Sequence, residues 1–209
     1  FAADRKITGG YMSIISVDFK KLFRIAPFTV IGGAGTLADV QHVVSMMEEL
    51  NSGFIGKFEY PLSIKGQANY LANYLRESRS WIDSFGLQCD FIVGGLNLSD
   101  DLAIFQVEEG GCLLEVKSYA VIGSGTDGAI SVLREEKQKL SDRKLNLNEG
   151  VSLAVKAISR AGERDNGTAD IRVAEPNVMK ITINGCEDLN PDIVSGAVKS
   201  LLEKEAPRG

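Results

Sequence analysis

Histidine is almost missing from this chain: His42 is the only one among 209 residues. With no second histidine and no cysteine pair beside it, His42 reads as a helix-face residue, not a zinc ligand. Positive charge is not in excess either. Lys and Arg number 23 against 28 Asp and Glu, for a net charge of −5. No basic cluster is interleaved with aromatics, which argues against nucleic acid as a partner. No apolar run approaches the roughly 20 residues that cross a bilayer, so no membrane segment is expected. Cysteine is scarce and odd in number. Cys89, Cys112 and Cys186 are widely spaced among apolar residues, which reads as three buried thiols in a reducing compartment rather than a disulfide framework. An initiating methionine and a charged-then-apolar leader are both missing: Phe1 opens inside an apolar run, so the reading is of a chain whose true start lies upstream.

What is present is an ordinary globular balance, 44% apolar and 24% charged, and a length that suits a single domain over residues 1–209. Short β-prone segments come first, "YMSII", "KKLFRI" and "FTVIG", punctuated by Gly9-Gly10 and Pro27. Segments this close imply antiparallel hairpins. Val40, Val43, Val44, Met47 and Leu50 then recur at helical spacing, predicting a helix over residues 37 to about 51 that stops at Asn51 and Gly53. Ile64, Ala68, Leu71 and Leu75 predict a second over about 63–78. "DFIVGGLN", "LAIFQVE" and "CLLEVKSYAVIGSG" follow as a meander of three or four strands, turning at Ser99-Asp100-Asp101 and at Gly110-Gly111. Two more helices are expected at about 127–140 and 147–161, the latter with Asn146 and Glu149 as a capping box and Val151, Ala154, Val155 and Ile158 as its buried stripe. "IRVA" and "VMKITI" read as a last strand or pair. A final helix begins at Pro191, capped by Asn190. No linker divides the chain.

Strands grouped with strands and helices grouped in pairs point to an α+β body of four layers, two antiparallel sheets face to face with helix pairs outside. This bears on "TVIGGAGTLADV", where Gly33, Gly35 and Ala38 match a dinucleotide-binding turn. That fingerprint needs a parallel strand after its helix and an acidic residue about 20 positions on. Here a second helix follows, and Glu59 sits in the short, Pro-ended "KFEYP", so the glycines have other work.

Taken in order, "FAADRKITGG", "KKLFRI", "GGAGTLADVQ", "GGLN", "AVIGSGTDGA", "EGVSLAVKAI" and "RAGERDNGTAD" resemble a proteasome β-type subunit of the N-terminal-nucleophile hydrolase superfamily. The resemblance spans residues 1 to about 183, and its fold is the αββα sandwich already suggested by element order. It implies a threonine endopeptidase that degrades unfolded polypeptide, needs no metal or other cofactor, and is made as a zymogen whose propeptide is cut off to expose the nucleophile. It implies as partners other β-type subunits in a seven-membered ring, a ring of α-type subunits, and an ATP-dependent unfoldase that delivers substrate, in the cytoplasm. The family's threonine stands about 13 residues before the segment matched here, so it would precede Phe1. Thr8 does not replace it, being internal, and matches a position whose backbone pairs with bound peptide.

The resemblance assigns the remaining site residue by residue. Lys21 matches the catalytic lysine, whose charge would lower the pKa values of the threonine hydroxyl and amine. Asp4 matches the acid that pairs with it; without the other motifs the two would pass for an ordinary surface pair. Ser124 matches the serine beside the threonine amine, and Asp165 the supporting aspartate. Thr168 stands where the family usually has serine, and the glycine pair after it is replaced by Ala169-Asp170 with one residue fewer. Without the resemblance, Ser124, Asp165 and Thr168 are turn residues. Gly35 matches the donor of the oxyanion N–H. Gly33 aligns with the floor of the specificity pocket and Ile7, Phe19 and Leu37 with its walls, implying cleavage after large apolar residues. Two other readings compete: a silent subunit that only holds ring geometry, favoured by the altered "RDNGTAD" loop, and a small-molecule amidase, which would need a closed polar pocket.

Overall fold

The structure, a computed structural model, describes residues 1–9, 13–81, 86–99, 101–140 and 143–205. The expected strand start at Tyr11-Met12, the turn glycine Gly10 and the turn residue Asp100 lie outside them. The chain is α+β. It divides into two compact units, one of residues 1–21, 124–179 and 188–209, the other of residues 22–123 and 180–187.

The second unit is built on five antiparallel strands in sequence order: β4 (Leu22–Ala26), β5 (Thr29–Gly35), β6 (Cys89–Leu96), β7 (Leu102–Glu108) and β8 (Cys112–Glu115). Its helices are α1 (Leu37–Phe58) and α2 (Ile64–Trp81). The period-2 alternation of the strands sends Ile31, Phe91, Val93, Phe105 and Val107 to one face, where they meet Val40, Val43 and Met47 of α1 and Ala68, Leu71 and Leu75 of α2 in one apolar core. Register makes two rows across the sheet, Ile31 with Val93 and Phe105, and Gly33 with Phe91 and Val107.

Two expectations need correction here. α1 does not stop at Asn51 to Gly53 but runs on to Phe58, where Glu59 caps it in the left-handed region (φ 63°) with its N–H on the Ile55 carbonyl. Asn51 does not end the helix because its side chain turns back within it, Nδ2 donating to the Met47 carbonyl at 2.8 Å. Phe54 packs against Phe58 one turn later, the rings tilted by 41° with centroids 4.5 Å apart. Gly53 and Gly56 lie inside this helix with open space where a Cβ would be. The third run of the meander is a strand only to Glu115; residues 116–123 are irregular.

In the first unit, β1 (Ala2–Ala3) pairs antiparallel with the start of β9 (Asn177–Thr182), whose residues from Lys180 on and those of its neighbour β10 (Gly185–Asp188) up to Glu187 are counted in the second unit, and β2 (Ile7–Thr8) pairs with β3 (Ile14–Ser16) across an irregular register. Its helices are α3 (Thr126–Leu140), α4 (Leu147–Arg164) and α5 (Pro191–Glu205). The capping box of α4 is formed in both directions, Glu149 N–H on Asn146 Oδ1 at 3.0 Å and Asn146 N–H on Glu149 Oε2 at 2.9 Å. Val151 and Val155 of α4 join Ile171, Val178, Leu189, Val194 and Val198 in a second, smaller core, with Ile158 packed against it. "IRVA" is not a strand: Asp170 takes the Arg172 N–H on its side chain, and its carbonyl accepts from Val173 and Ala174, closing a turn that extended backbone cannot make. The partner of "VMKITI" is β10 instead.

Candidate active site

α4 ends at Asp165, whose backbone is extended (φ −129°, ψ 119°) while its N–H still bonds the Ala161 carbonyl. Asn166 and Gly167 then fold the chain back over the Asp165 side chain. Asp165 Oδ1 accepts the Gly167 N–H at 3.0 Å, and Oδ2 accepts the Thr168 hydroxyl at 2.7 Å and the Ser124 hydroxyl at 2.6 Å. Ser124 opens the segment leading into α3, so one carboxylate gathers hydroxyls from the two ends of an α3–α4 pair. Burial works against the ionised form, but the bonds from Ser124, Thr168 and Gly167 and the charge of Lys6 together outweigh it, and the Asp165 carboxyl is held below its ordinary value. Close packing is built in here: a Cβ on Gly125 would fall 2.6 Å from Thr168 Oγ1, and one on Gly167 would fall 2.7 Å from Ser124 Oγ.

Asp4 forms the second hub, between β1 and β2. Its Oδ2 lies 2.9 Å from Lys21 Nζ and its Oδ1 3.1 Å from the same nitrogen. Oδ1 also accepts the backbone N–H of Lys6 at 2.8 Å and of Ala169 at 3.2 Å. The pair is unlike the surface pair that its residue types alone suggest. Its side chains are 15% and 24% exposed, against about half for the neighbouring Lys20–Asp188 pair, so water screens it less. Because Ala169 follows Thr168, the Asp4 hub and the Asp165 hub are tied through one short loop. Thr168 gives that loop its hydroxyl bond, and Ala169 is buried.

Ile7 and Thr8 are half-buried in β2, where Thr8 is in register with Ile14, and Phe19 is half-buried with its N–H on the Arg5 carbonyl. In the other unit, Gly35 closes β5 opposite Cys89, at φ +116°. A side chain there would meet the Gln88 carbonyl at 2.3 Å, so only glycine fits. Leu37 begins α1 just beyond it, half-buried. The side chain that Gly33 lacks would point at Val40 and Phe91, 2.6 and 3.0 Å away. What glycine gives there is close approach of α1 to β5, not depth on an open face.

One contact escaped the sequence. Lys6 Nζ donates to the Asn166 carbonyl at 2.6 Å. Its partner is a backbone oxygen 160 residues away, which no residue pattern marks. The cysteines divide differently from expectation: Cys89 and Cys186 are buried, but Cys112 is exposed at the start of β8, because the alternation that buries Val107 opposite Leu113 leaves it on the outer side of the edge strand. Burial, then Asp39, Asp90 and Glu109, push the Cys89 thiol up to about 12, and burial pushes Cys186 up to about 11, so both stay protonated. Among the described residues no group of His, Cys, Asp and Glu is arranged to hold a metal ion, and no helix is long and apolar enough to cross a membrane.

Residues 1–174, which include both hubs and β5, match the proteasome subunit family. The chain belongs to the proteasome family as a β-type subunit. It is 31% identical over 169 residues to proteasome subunit beta of Methanopyrus kandleri, covering 81% of this chain and 76% of that one. It is 30% identical to proteasome subunit beta 1 of Thermococcus sibiricus over 95% of this chain and 88% of the relative, and 31% identical to proteasome subunit beta 1 of Thermococcus kodakarensis over 97% and 90%. Its α+β class, antiparallel sheets and helix pairs agree with the sandwich fold of proteasome subunits.

Proposed function

We propose that this β subunit is catalytically competent: a threonine endopeptidase of a proteasome core particle that degrades unfolded polypeptide and prefers to cut after apolar residues. The observation that carries this reading is the half-buried Asp4–Lys21 pair tied through Ala169 to the loop that presents Thr168 and Asp165. A scaffold has no physical need to hold a lysine partly out of water against a carboxylate and to arrange two hydroxyls on a second one.

In the proposed reaction the nucleophile is a threonine preceding Phe1, freed at its α-amine by processing. Its amine takes the hydroxyl proton as the oxygen attacks the scissile carbonyl. The fixed ammonium of Lys21 favours the ionised hydroxyl. Ser124 and Thr168, each already donating to Asp165, offer their oxygens as acceptors to the threonine amine. The Gly35 N–H stabilises the oxyanion, a contribution of a few kcal/mol for a preorganised donor. The amine protonates the leaving nitrogen, and water then hydrolyses the acyl-enzyme. Ile7, Phe19 and Leu37 supply the apolar preference. The subunit works in the cytoplasm in a seven-membered β ring stacked on α-type subunits, fed by an ATP-dependent unfoldase.

Intact mass of the chain from the assembled particle tests this. A mass that places threonine at the N-terminus, together with faster cleavage of fluorogenic peptides ending in Leu or Tyr than in Glu, is the expected result. Residues retained ahead of that threonine would leave no free amine to act as base, and the subunit would then be a ring scaffold.

A further inference from the structure

Lys6 is not among the residues that the family resemblance assigns to the site, yet it touches that site twice. Its backbone N–H donates to Asp4, and its ammonium reaches the Asn166 carbonyl. The second bond has a consequence through peptide geometry. The Asn166 carbonyl and the Gly167 N–H belong to the same planar trans unit and point in opposite directions. A clamp on the oxygen therefore aims the N–H, and that N–H donates to Asp165 Oδ1. The same carboxylate holds Ser124 and Thr168 through its other oxygen. Charge points the same way: the Lys6 ammonium is among the groups that favour ionised Asp165, and donation to the carbonyl polarises the peptide so that its N–H donates more strongly.

We infer that Lys6 is a positioning residue for the peptidase: by clamping the Asn166–Gly167 peptide plane from the β1–β2 segment, it fixes the Asp165 carboxylate that orients Ser124 and Thr168. The role acts through Asp165 and requires no contact with substrate. It rests on the catalytic reading above, so the test must separate the two.

Particles assembled from the full-length chain are compared as wild type, Lys6→Met and Lys6→Arg, using a fluorogenic peptide and a peptide epoxyketone, which requires both the hydroxyl and the free amine of an N-terminal threonine. Lys6→Met is expected to lower kcat and the rate of epoxyketone adduct formation by about tenfold with KM within about twofold, the pattern of a displaced reacting group. Lys6→Arg, which keeps charge and donor, is expected to return kcat to within about threefold of wild type. If Lys6→Met yields no rings, Lys6→Gln takes its place with the same expectation. A wild-type rate in the Met or Gln variant, or an Arg variant as slow as Met, overturns the role of Lys6 and leaves the peptidase standing. A wild-type particle that forms no adduct and cuts no peptide overturns both.

Discussion

Under the five-stranded sheet, Ile31, Phe91, Val93, Leu71 and Leu75 are withdrawn from water, and what joins them is apolar contact without direction. Around Asp165 and Asp4 the side chains are half-buried or exposed, and what joins them is a set of bonds between 2.6 and 3.2 Å, each with a required angle. The two regions therefore respond to substitution differently. Apolar packing loses free energy in proportion to the volume removed but keeps its shape under volume-conserving exchange. A polar cluster at a half-wet surface contributes modestly to stability, since each bond replaces one to water, yet loses its geometry when one member goes. Stability is concentrated in the first region and precision in the second.

Substitutions that affect one property without the other sharpen this contrast. Lys21→Met removes the partner of Asp4 from the site but little packing. Peptide hydrolysis by assembled particles should fall about 10⁴-fold, as for a supporting member of a nucleophile–base set, while the urea midpoint moves little. Equal loss of stability would break the distinction. Leu71→Ala is the converse: a fully buried side chain whose truncation should cost about 3 kcal/mol by denaturant titration, with hydrolysis per assembled particle nearly unchanged.

Asp165→Asn divides the two by pH. The folded state holds this carboxyl below its unfolded value, so its contribution is complete above the ordinary carboxylate range and fades as pH falls through the folded value. The native chain should lose stability between about pH 5 and about pH 2 more steeply than the Asn variant, measured as urea midpoint against pH; parallel curves would count against an ionised Asp165. Asn146→Ala should have the smallest effect, about 1 kcal/mol from loss of the α4 cap, with no change in turnover, since the cap lies at the end of α4 far in sequence from Asp165.

How much of this the sequence discloses follows the same line. Periodicity located α1, α2 and α4, because apolar burial writes itself as a 3.6 repeat, while apolar runs between turn residues located the meander and the Asn190–Pro191 start located α5. It failed where a side chain bonds its own backbone. Asn51 and Gly53 look like a helix end, yet Asn51 bonds back to Met47 and the helix continues. "IRVA" has the composition of a strand, yet the Asp170 side chain bends it into a turn. Of the candidate site, Asp4, Lys21, Ser124, Asp165 and Thr168 came from family resemblance, and spacing alone leaves them as turn and surface residues. Lys6 was legible by neither route, since its partner is a carbonyl that every residue type carries.

The two glycines inside α1 bear on how this protein could be made sturdier. Gly53 and Gly56 face open space within the chain, so nothing in the subunit itself calls for a missing side chain. Each leaves the unfolded chain with extra freedom that folding must remove, about 1 kcal/mol relative to alanine. The last two turns of α1 therefore form against the local preference of these glycines, with ring contacts among Phe54, Phe58 and Tyr60 along the helix end. Alanine at both positions should raise the melting temperature of the isolated subunit by several degrees, an unspent reserve of thermal tolerance lodged in a helix remote in sequence from Asp4 and Asp165.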